Sequence, residues 1–73
     1  MEYIFKSCRK PLDCCKEKCT KAHFNKVSKE YFESYTIREL RRFFIKNEYG
    51  SIVECDKYDK CVILGCKKGH SLK

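Results

Sequence analysis

The sequence lacks the features that mark membrane and secreted proteins. No apolar run approaches the roughly 20 residues that a membrane-spanning helix requires. Charged residues interrupt the first ten positions, MEYIFKSCRK, which argues against a secretory signal peptide. We therefore expect an intracellular protein, nuclear or cytoplasmic, with no membrane partner.

The chain also lacks the material for an ordinary hydrophobic core. It has 73 residues, no tryptophan and little glycine or proline. Below roughly 70–80 residues a hydrophobic core alone seldom stabilises a fold, so an additional cross-link, either a disulfide bond or a metal site, is expected. Seven cysteines can supply one. In a reducing compartment, clustered cysteines are more often metal ligands than disulfide partners.

Two segments repeat one pattern of cysteine and histidine. Residues 8–23, CRKPLDCCKEKCTKAH, align without a gap on residues 55–70, CDKYDKCVILGCKKGH, and both read C-x5-C-x4-C-x3-H. The chain has only two histidines, and each stands at the same distance after the third cysteine of its set. A disulfide framework or chance clustering gives no reason for that placement, whereas metal ligation does. The predicted ligands are Cys8, Cys14, Cys19, His23, Cys55, Cys61, Cys66 and His70.

The ligand set indicates zinc. Structural zinc sites close a tetrahedron with four thiolate or imidazole ligands, and soft sulfur donors favour zinc over magnesium or calcium. A cysteine and a histidine four positions apart share one face of a helical turn, so Cys19 with His23, and Cys66 with His70, are expected to hold one ion each. The sequence predicts two structural zinc ions and leaves no coordination position open for a substrate.

Cys15 is the seventh cysteine and offers an alternative register. It could replace Cys14 as a ligand, which would give gaps of six and three residues. The gapless match between the repeats favours Cys14, because Val62 occupies the position equivalent to Cys15. Cys15 is then a spare thiol.

The segment between the repeats contains a predicted helix in TIRELRRFFIKNEYG. Thr36 is a candidate N-cap, Glu39 completes a capping box, and Gly50 lies just beyond the expected end. Apolar residues follow at helical spacing, with arginines largely opposite. The apolar stripe is Ile37, Leu40, Phe43 and Phe44, and the arginines are Arg38, Arg41 and Arg42.

A second, shorter helix is predicted to begin near Ser28. It would place Val27, Tyr31 and Tyr35 on one face. The later stretch SIVE is short, and an extended piece entering the second repeat is reasonable. The middle of the chain is therefore expected to form a small helical hairpin on which the repeats dock.

These observations predict a small, zinc-stabilised, mostly irregular fold with some α-helix. Its three segments are residues 1–27, 28–54 and 55–73: a metal-binding finger, a helical connector packing with the fingers, and a second finger. Their formal charges are +4, zero and +3. The apolar stripe is either core or, through Ile37, Leu40 and Phe44, a surface for a protein partner.

The C-x5-C-x4-C-x3-H spacing resembles the CCCH zinc fingers, in particular the short-spaced fingers found in tandem in polyadenosine-RNA-binding proteins. The resemblance covers the two 16-residue segments and leaves the connector unexplained. It implies irregular loops wrapped around zinc, and single-stranded RNA binding without catalysis. Fingers of this family commonly carry a base-stacking aromatic between the third cysteine and the histidine, and both segments lack it here.

Stacking could instead come from Phe24 or Tyr58, although both could equally pack against their own fingers. The lysines and arginines of the finger segments would supply phosphate contacts. The residues predicted to contact RNA are Arg9, Lys10, Lys21, Phe24, Lys57, Tyr58, Lys67 and Lys68.

Two functions remain after this reading. One is a tandem-finger protein that binds single-stranded RNA. The other is a zinc-stabilised structural or adaptor subunit that docks on a larger protein or ribonucleoprotein assembly. An enzyme is not expected, because both histidines are used as ligands and no small-molecule pocket or serine–histidine–acid set can be proposed.

Overall fold

Regular secondary structure is short and scattered in the computed structural model, which describes residues 4–71. In chain order the elements are β1 (Ile4–Phe5), a 3₁₀ turn (Lys26–Ser28), α1 (Lys29–Phe32), α2 (Ile37–Phe43), β2 (Ile52–Val53) and a second 3₁₀ turn (Tyr58–Lys60). The predicted small, mostly irregular fold with a helical middle is thus observed. The outer ends of the two finger segments, residues 1–3 and 72–73, lie outside the described residues. Within residues 4–71, no helix is both long and apolar enough to span a bilayer.

The two repeats face each other across an approximate two-fold axis. His23 and His70 are 47 positions apart and occupy equivalent places in the repeats. Their backbones form an antiparallel bridge in which each N–H donates to the other's carbonyl, at 3.1 and 2.9 Å. Phe5 and Ile52, which are also equivalent, face each other where β1 pairs antiparallel with β2. The repeats therefore contact each other directly as well as through the connector.

Each repeat is closed by the same parallel bridge. Ser7 pairs with Ala22 in the first repeat, and Glu54 pairs with Gly69 in the second. The residue before the histidine donates its N–H to a carbonyl just upstream of the first cysteine. Ala22 donates to Lys6, and Gly69 donates to Val53, both at 2.8 Å. These bridges bring the first and third cysteines of each repeat together.

An apolar core joins the first repeat to the connector. The Phe24 ring stacks on Phe44 and tilts against Phe32, with centroids 4.2 Å away in both cases. Phe32 is fully buried. The buried members of the core are Phe5, Ala22, Phe24, Phe32, Leu40, Phe44 and Ile52. Since they come from residues 1–27 and 28–54, the connector packs directly on the first repeat.

The start of α2 was predicted correctly and its end was not. The Thr36 hydroxyl accepts the Glu39 N–H at 3.2 Å, and the Glu39 carboxylate accepts the Thr36 N–H, which forms the capping box. The helix ends at Phe43, well before Gly50, because Phe44 becomes extended and turns its ring into the core. The chain then forms a tight turn in which Gly50 adopts a φ of +83°.

The first connector helix is shorter than predicted, and Val27 and Tyr35 lie outside it. Val27, Tyr31 and Tyr35 are 44, 51 and 37% exposed, whereas Phe32 is buried. The helix α1 has only four residues and follows a 3₁₀ turn, so the 3.6-residue period does not extend over this segment.

The apolar stripe of α2 divides between core and surface. Leu40 and Phe44 are 3 and 4% exposed, while Ile37 is 48% exposed. The core interpretation therefore holds for Leu40 and Phe44, and Ile37 is the exposed member of the set predicted to meet a protein partner. SIVE contains β2, which agrees with an extended entry into the second repeat.

Candidate metal centres

The fold gathers both predicted ligand sets. In each repeat, three cysteine sulfurs and one histidine nitrogen lie within 4.8 Å of one another. Cys8 and Cys19 sulfurs are 4.0 Å apart, as are those of Cys55 and Cys66. The edge of a tetrahedron with zinc–sulfur bonds of about 2.3 Å is about 3.8 Å, whereas a disulfide bond is about 2.05 Å long. Each cluster could therefore hold one metal ion.

The histidines present one particular nitrogen to the clusters. The ring Nδ1 of His23 lies 3.3 Å from the His70 carbonyl, and that of His70 lies 3.2 Å from the His23 carbonyl. The Nε2 atoms of both rings are buried without a hydrogen-bond partner. A proton on Nδ1, held by the carbonyl, leaves the Nε2 lone pair free for a metal. Burial also lowers the pKa of His23, which favours the neutral ligand form.

The local geometry that was predicted for these histidines is wrong. Neither Cys19–His23 nor Cys66–His70 forms a helical turn. The histidines instead lie in extended backbone, because each pairs with the other across the two-fold axis. The four-residue spacing still brings sulfur and nitrogen together, by way of a turn.

Backbone N–H groups approach sulfur in both repeats. The Lys16 N–H lowers the pKa of the Cys14 thiol. Burial acts to raise the pKa of Cys61, but the Ile63 N–H and the Asn25 amide outweigh it and lower that pKa to about 6. In both repeats, backbone N–H groups therefore favour the thiolate form of the second cysteine.

Burial opposes thiolate formation at two other cysteines of the clusters, Cys8 and Cys66. Burial raises the pKa of Cys8, and burial together with the neighbouring thiols raises the pKa of Cys66 to about 11. A divalent cation would offset this cost, because its charge stabilises coordinated thiolates. The donor set thus needs a cation to become fully deprotonated at neutral pH.

Asn25 is not a predicted ligand, but its hydrogen bonds hold part of the second cluster in place. Its side-chain amide donates to the Cys61 sulfur at 3.3 Å and to the Ile63 carbonyl at 2.7 Å. The Ser28 hydroxyl in turn donates to Asn25 and accepts the Gly65 N–H. Asn25 and Ser28 are buried, so the bond between them and the bond from Asn25 to the Cys61 sulfur are shielded from water. The sequence analysis missed both residues, because a contact between Asn25 and a cysteine 36 positions later leaves no local signal in the sequence.

Cys15 stands outside the first cluster. It is exposed, and its sulfur lies 3.6 Å from the Asp13 carbonyl. Cys14 is the member that joins Cys8 and Cys19. The register chosen from the repeat therefore matches the structure.

The residues predicted to contact RNA do not all line one groove. Phe24 is buried, and Tyr58 is half-buried against the core with a φ of +41°, a backbone conformation uncommon for a bulky residue. Lys67 lies over the Phe43 ring, 5.6 Å from its centroid. The remaining predicted residues, Lys10, Lys57 and Lys68, do not line the groove described next.

A basic groove of about 410 Å³ joins the first repeat to α2 and the turn after it. Arg9 and Lys21, both predicted to contact RNA, line it. So do Lys6, Arg41, Lys46 and Tyr49, which the sequence analysis missed. All five cations are exposed, and none of the described residues that line the groove is acidic. The Ser7 hydroxyl accepts a hydrogen bond from Arg41 Nε at 3.0 Å, which directs the guanidinium along one wall.

The fold and the two ligand sets define a small chain organised around paired Cys3His clusters, consistent with tandem CCCH-type fingers. No protein-family model matches the chain, and the searches of curated proteins and of solved structures found no match. The clusters themselves are thus the basis for a functional assignment.

Proposed function

We propose that the chain is a zinc-organised tandem-finger module that binds single-stranded RNA. Zinc is the ion that best suits two closed sets of three sulfurs and one Nε2. In this proposal the two ions are structural: they hold the repeats against each other and so shape the surface beside the first repeat.

The observation that carries RNA binding is the basic groove. Five exposed cations without an acidic neighbour in the lining make a surface that attracts phosphate. The Arg41 guanidinium, already positioned by Ser7, can make paired hydrogen bonds to one phosphate.

Tyr49 favours an unpaired strand. Its side chain lies at the edge of the groove and is 86% exposed. A tyrosine this exposed contributes almost nothing to the core, so stability does not explain its presence there. An aromatic ring beside a phosphate-binding surface can stack on a base, which must be unpaired to reach it. The choice of RNA over DNA rests on the resemblance to CCCH fingers.

The test is a fluorescence-anisotropy titration of the zinc-loaded protein with oligoadenylate RNA, the matching DNA and duplex RNA, at several salt concentrations. Lys21→Gln should weaken binding and lessen the log–log salt slope by about 0.7, the contribution of one phosphate contact on a single strand. Tyr49→Ala should weaken binding by roughly 1–3 kcal/mol without changing the slope, because stacking releases no counterions.

Lys57→Gln is the matched control, since Lys57 is an exposed lysine of the second repeat that does not line the groove. It should leave affinity and slope nearly unchanged. An effect equal to that of Lys21→Gln would show that RNA contacts the second repeat as well and is not confined to the groove. Wild-type protein without measurable RNA affinity at low salt would refute the proposal.

A further inference from the structure

The loop between the second and third cysteines of the second repeat exposes three consecutive aliphatic side chains. Val62, Ile63 and Leu64 are 78, 57 and 58% exposed. We call these three residues the aliphatic loop. Large apolar side chains in a continuous exposed run are unusual on a monomeric surface and commonly mark an interaction site.

The first repeat shows that the fold does not require them. The positions equivalent to the aliphatic loop are Cys15, Lys16 and Glu17. Both loops close in the same way: Cys19 donates its N–H to Lys16 at 3.3 Å, and Cys66 donates to Ile63 at 3.2 Å. Since a polar loop adopts this turn in the first repeat, the apolar side chains of the second are not needed to form it.

The aliphatic loop is held rigidly. Asn25 binds the Ile63 carbonyl at 2.7 Å, and the Gly65 N–H binds the Ser28 hydroxyl at 3.0 Å. Gly65 packs against the Tyr31 ring so closely that an added Cβ would lie 3.1 Å from it. A preorganised loop loses little entropy when a partner covers it, which favours binding.

Beside the loop lies a cleft of about 700 Å³ between the two repeats, and it borders both metal sites, because the predicted ligands Cys14, Cys61 and His70 are part of its lining. Val62 lines it together with Val27 and Tyr58, so the exposed aliphatic surface continues into a recess. The recess is large enough to take a bulky apolar side chain.

The charged residues that line the cleft indicate which kind of partner it would bind. Lys16, Lys18 and Lys26 line it against one acidic residue, Glu17. We propose that the aliphatic loop and the cleft dock a protein segment that carries large apolar side chains flanked by carboxylates. A second copy of the chain fits less well, because it would bring the same lysines together and the whole chain carries +7. Nucleic acid also fits less well, because aliphatic side chains bind no phosphate and lack the aromatic rings that stack on bases.

This surface is independent of the proposed RNA site, because the cleft and the basic groove share no lining residue. A variant of the aliphatic loop can therefore test it alone. The matched variant gives the second repeat the polar loop of the first: Val62→Ser, Ile63→Lys and Leu64→Glu, with serine in place of the equivalent Cys15 to avoid a new thiol.

The experiment is a selection of random 12-residue displayed peptides on zinc-loaded wild-type protein. The recovered sequences are then synthesised and their dissociation constants measured on wild type and on the loop variant. We expect peptides with aromatic or aliphatic residues beside Asp or Glu, binding the variant at least tenfold more weakly. The variant should keep two zinc ions and unchanged RNA affinity. In ¹H–¹³C methyl spectra, bound peptide should shift the Val62, Ile63 and Leu64 resonances.

The proposal is overturned if the selection yields no peptides of this composition or if the peptides bind the loop variant equally. It is also overturned if sedimentation shows that wild type dimerises and the variant does not, since the occupant would then be a second copy. Loss of RNA binding in a variant that retains two zinc ions would overturn it too, by assigning the loop to nucleic acid.

Discussion

Gly69→Ala tests the close contact between the two repeats. A Cβ at Gly69 would lie 2.8 Å from Phe5 Cδ2 and 3.0 Å from the Ala22 Cβ, closer than side chains tolerate. The Phe5 ring is buried and has little room to retreat. The Gly69 backbone is also fixed, because its N–H donates to Val53 at 2.8 Å and its carbonyl accepts from Cys55 at 2.9 Å. Overpacking at such a site costs about 1–3 kcal/mol, and we expect the upper part of that range.

Two comparisons isolate this steric effect. Gly50→Ala meets no atom within 4 Å and has only the strain of its positive φ, about 1 kcal/mol. Adding Ala22→Gly to Gly69→Ala removes the contact at 3.0 Å but leaves that with Phe5, so it should restore only part of the loss. The measurement is urea unfolding of zinc-loaded protein at one fixed zinc concentration, because bound metal shifts apparent stability. If Gly69→Ala proved no more destabilising than Gly50→Ala, the packing of the repeats described above would be wrong.

Three further outcomes are expected. Phe32→Ala should cost about 3–5 kcal/mol in urea unfolding, because its fully buried ring leaves a cavity; a loss below about 1 kcal/mol would contradict its central place in the core. Cys14→Ser should remove one zinc ion, whereas Cys15→Ser should leave two; the reverse pattern by native mass spectrometry would refute the register. Asn25→Ala should weaken zinc affinity at the second cluster roughly 10–100-fold in a chelator competition, because the Cys61 sulfur loses its amide donor; unchanged affinity would contradict that role.

The metal ligands were predictable because two copies of one pattern constrain each other. The gapless repeat selected Cys14 over Cys15, and the structure places Cys14 in the cluster. The capping box at Thr36 was equally local and was found in the sequence. Features that depend on a few neighbouring residues, or on an internal repeat, can thus be predicted from the sequence alone.

Features that depend on contacts between distant residues could not be predicted from the sequence. The helix α2 ends at Phe43 because Phe44 stacks on Phe24 and Ile45 donates its N–H to the Lys67 carbonyl at 2.9 Å, choices that helical periodicity does not reveal. The summed charge of each segment also failed to predict the basic groove. The connector has zero formal charge, yet it contributes Arg41 and Lys46 to one groove while its carboxylates lie elsewhere.

Native mass spectrometry of the freshly purified, reduced protein, before and after chelation, tests the central claim most directly. The account predicts two zinc ions per chain, because each repeat offers a complete ligand set with an otherwise unpartnered Nε2. It further predicts that chelation abolishes the cooperative unfolding transition, since a structural zinc site supplies about 10 kcal/mol or more of folding free energy. Fewer than two zinc ions per chain, or a cooperative fold that survives complete chelation, would contradict the account.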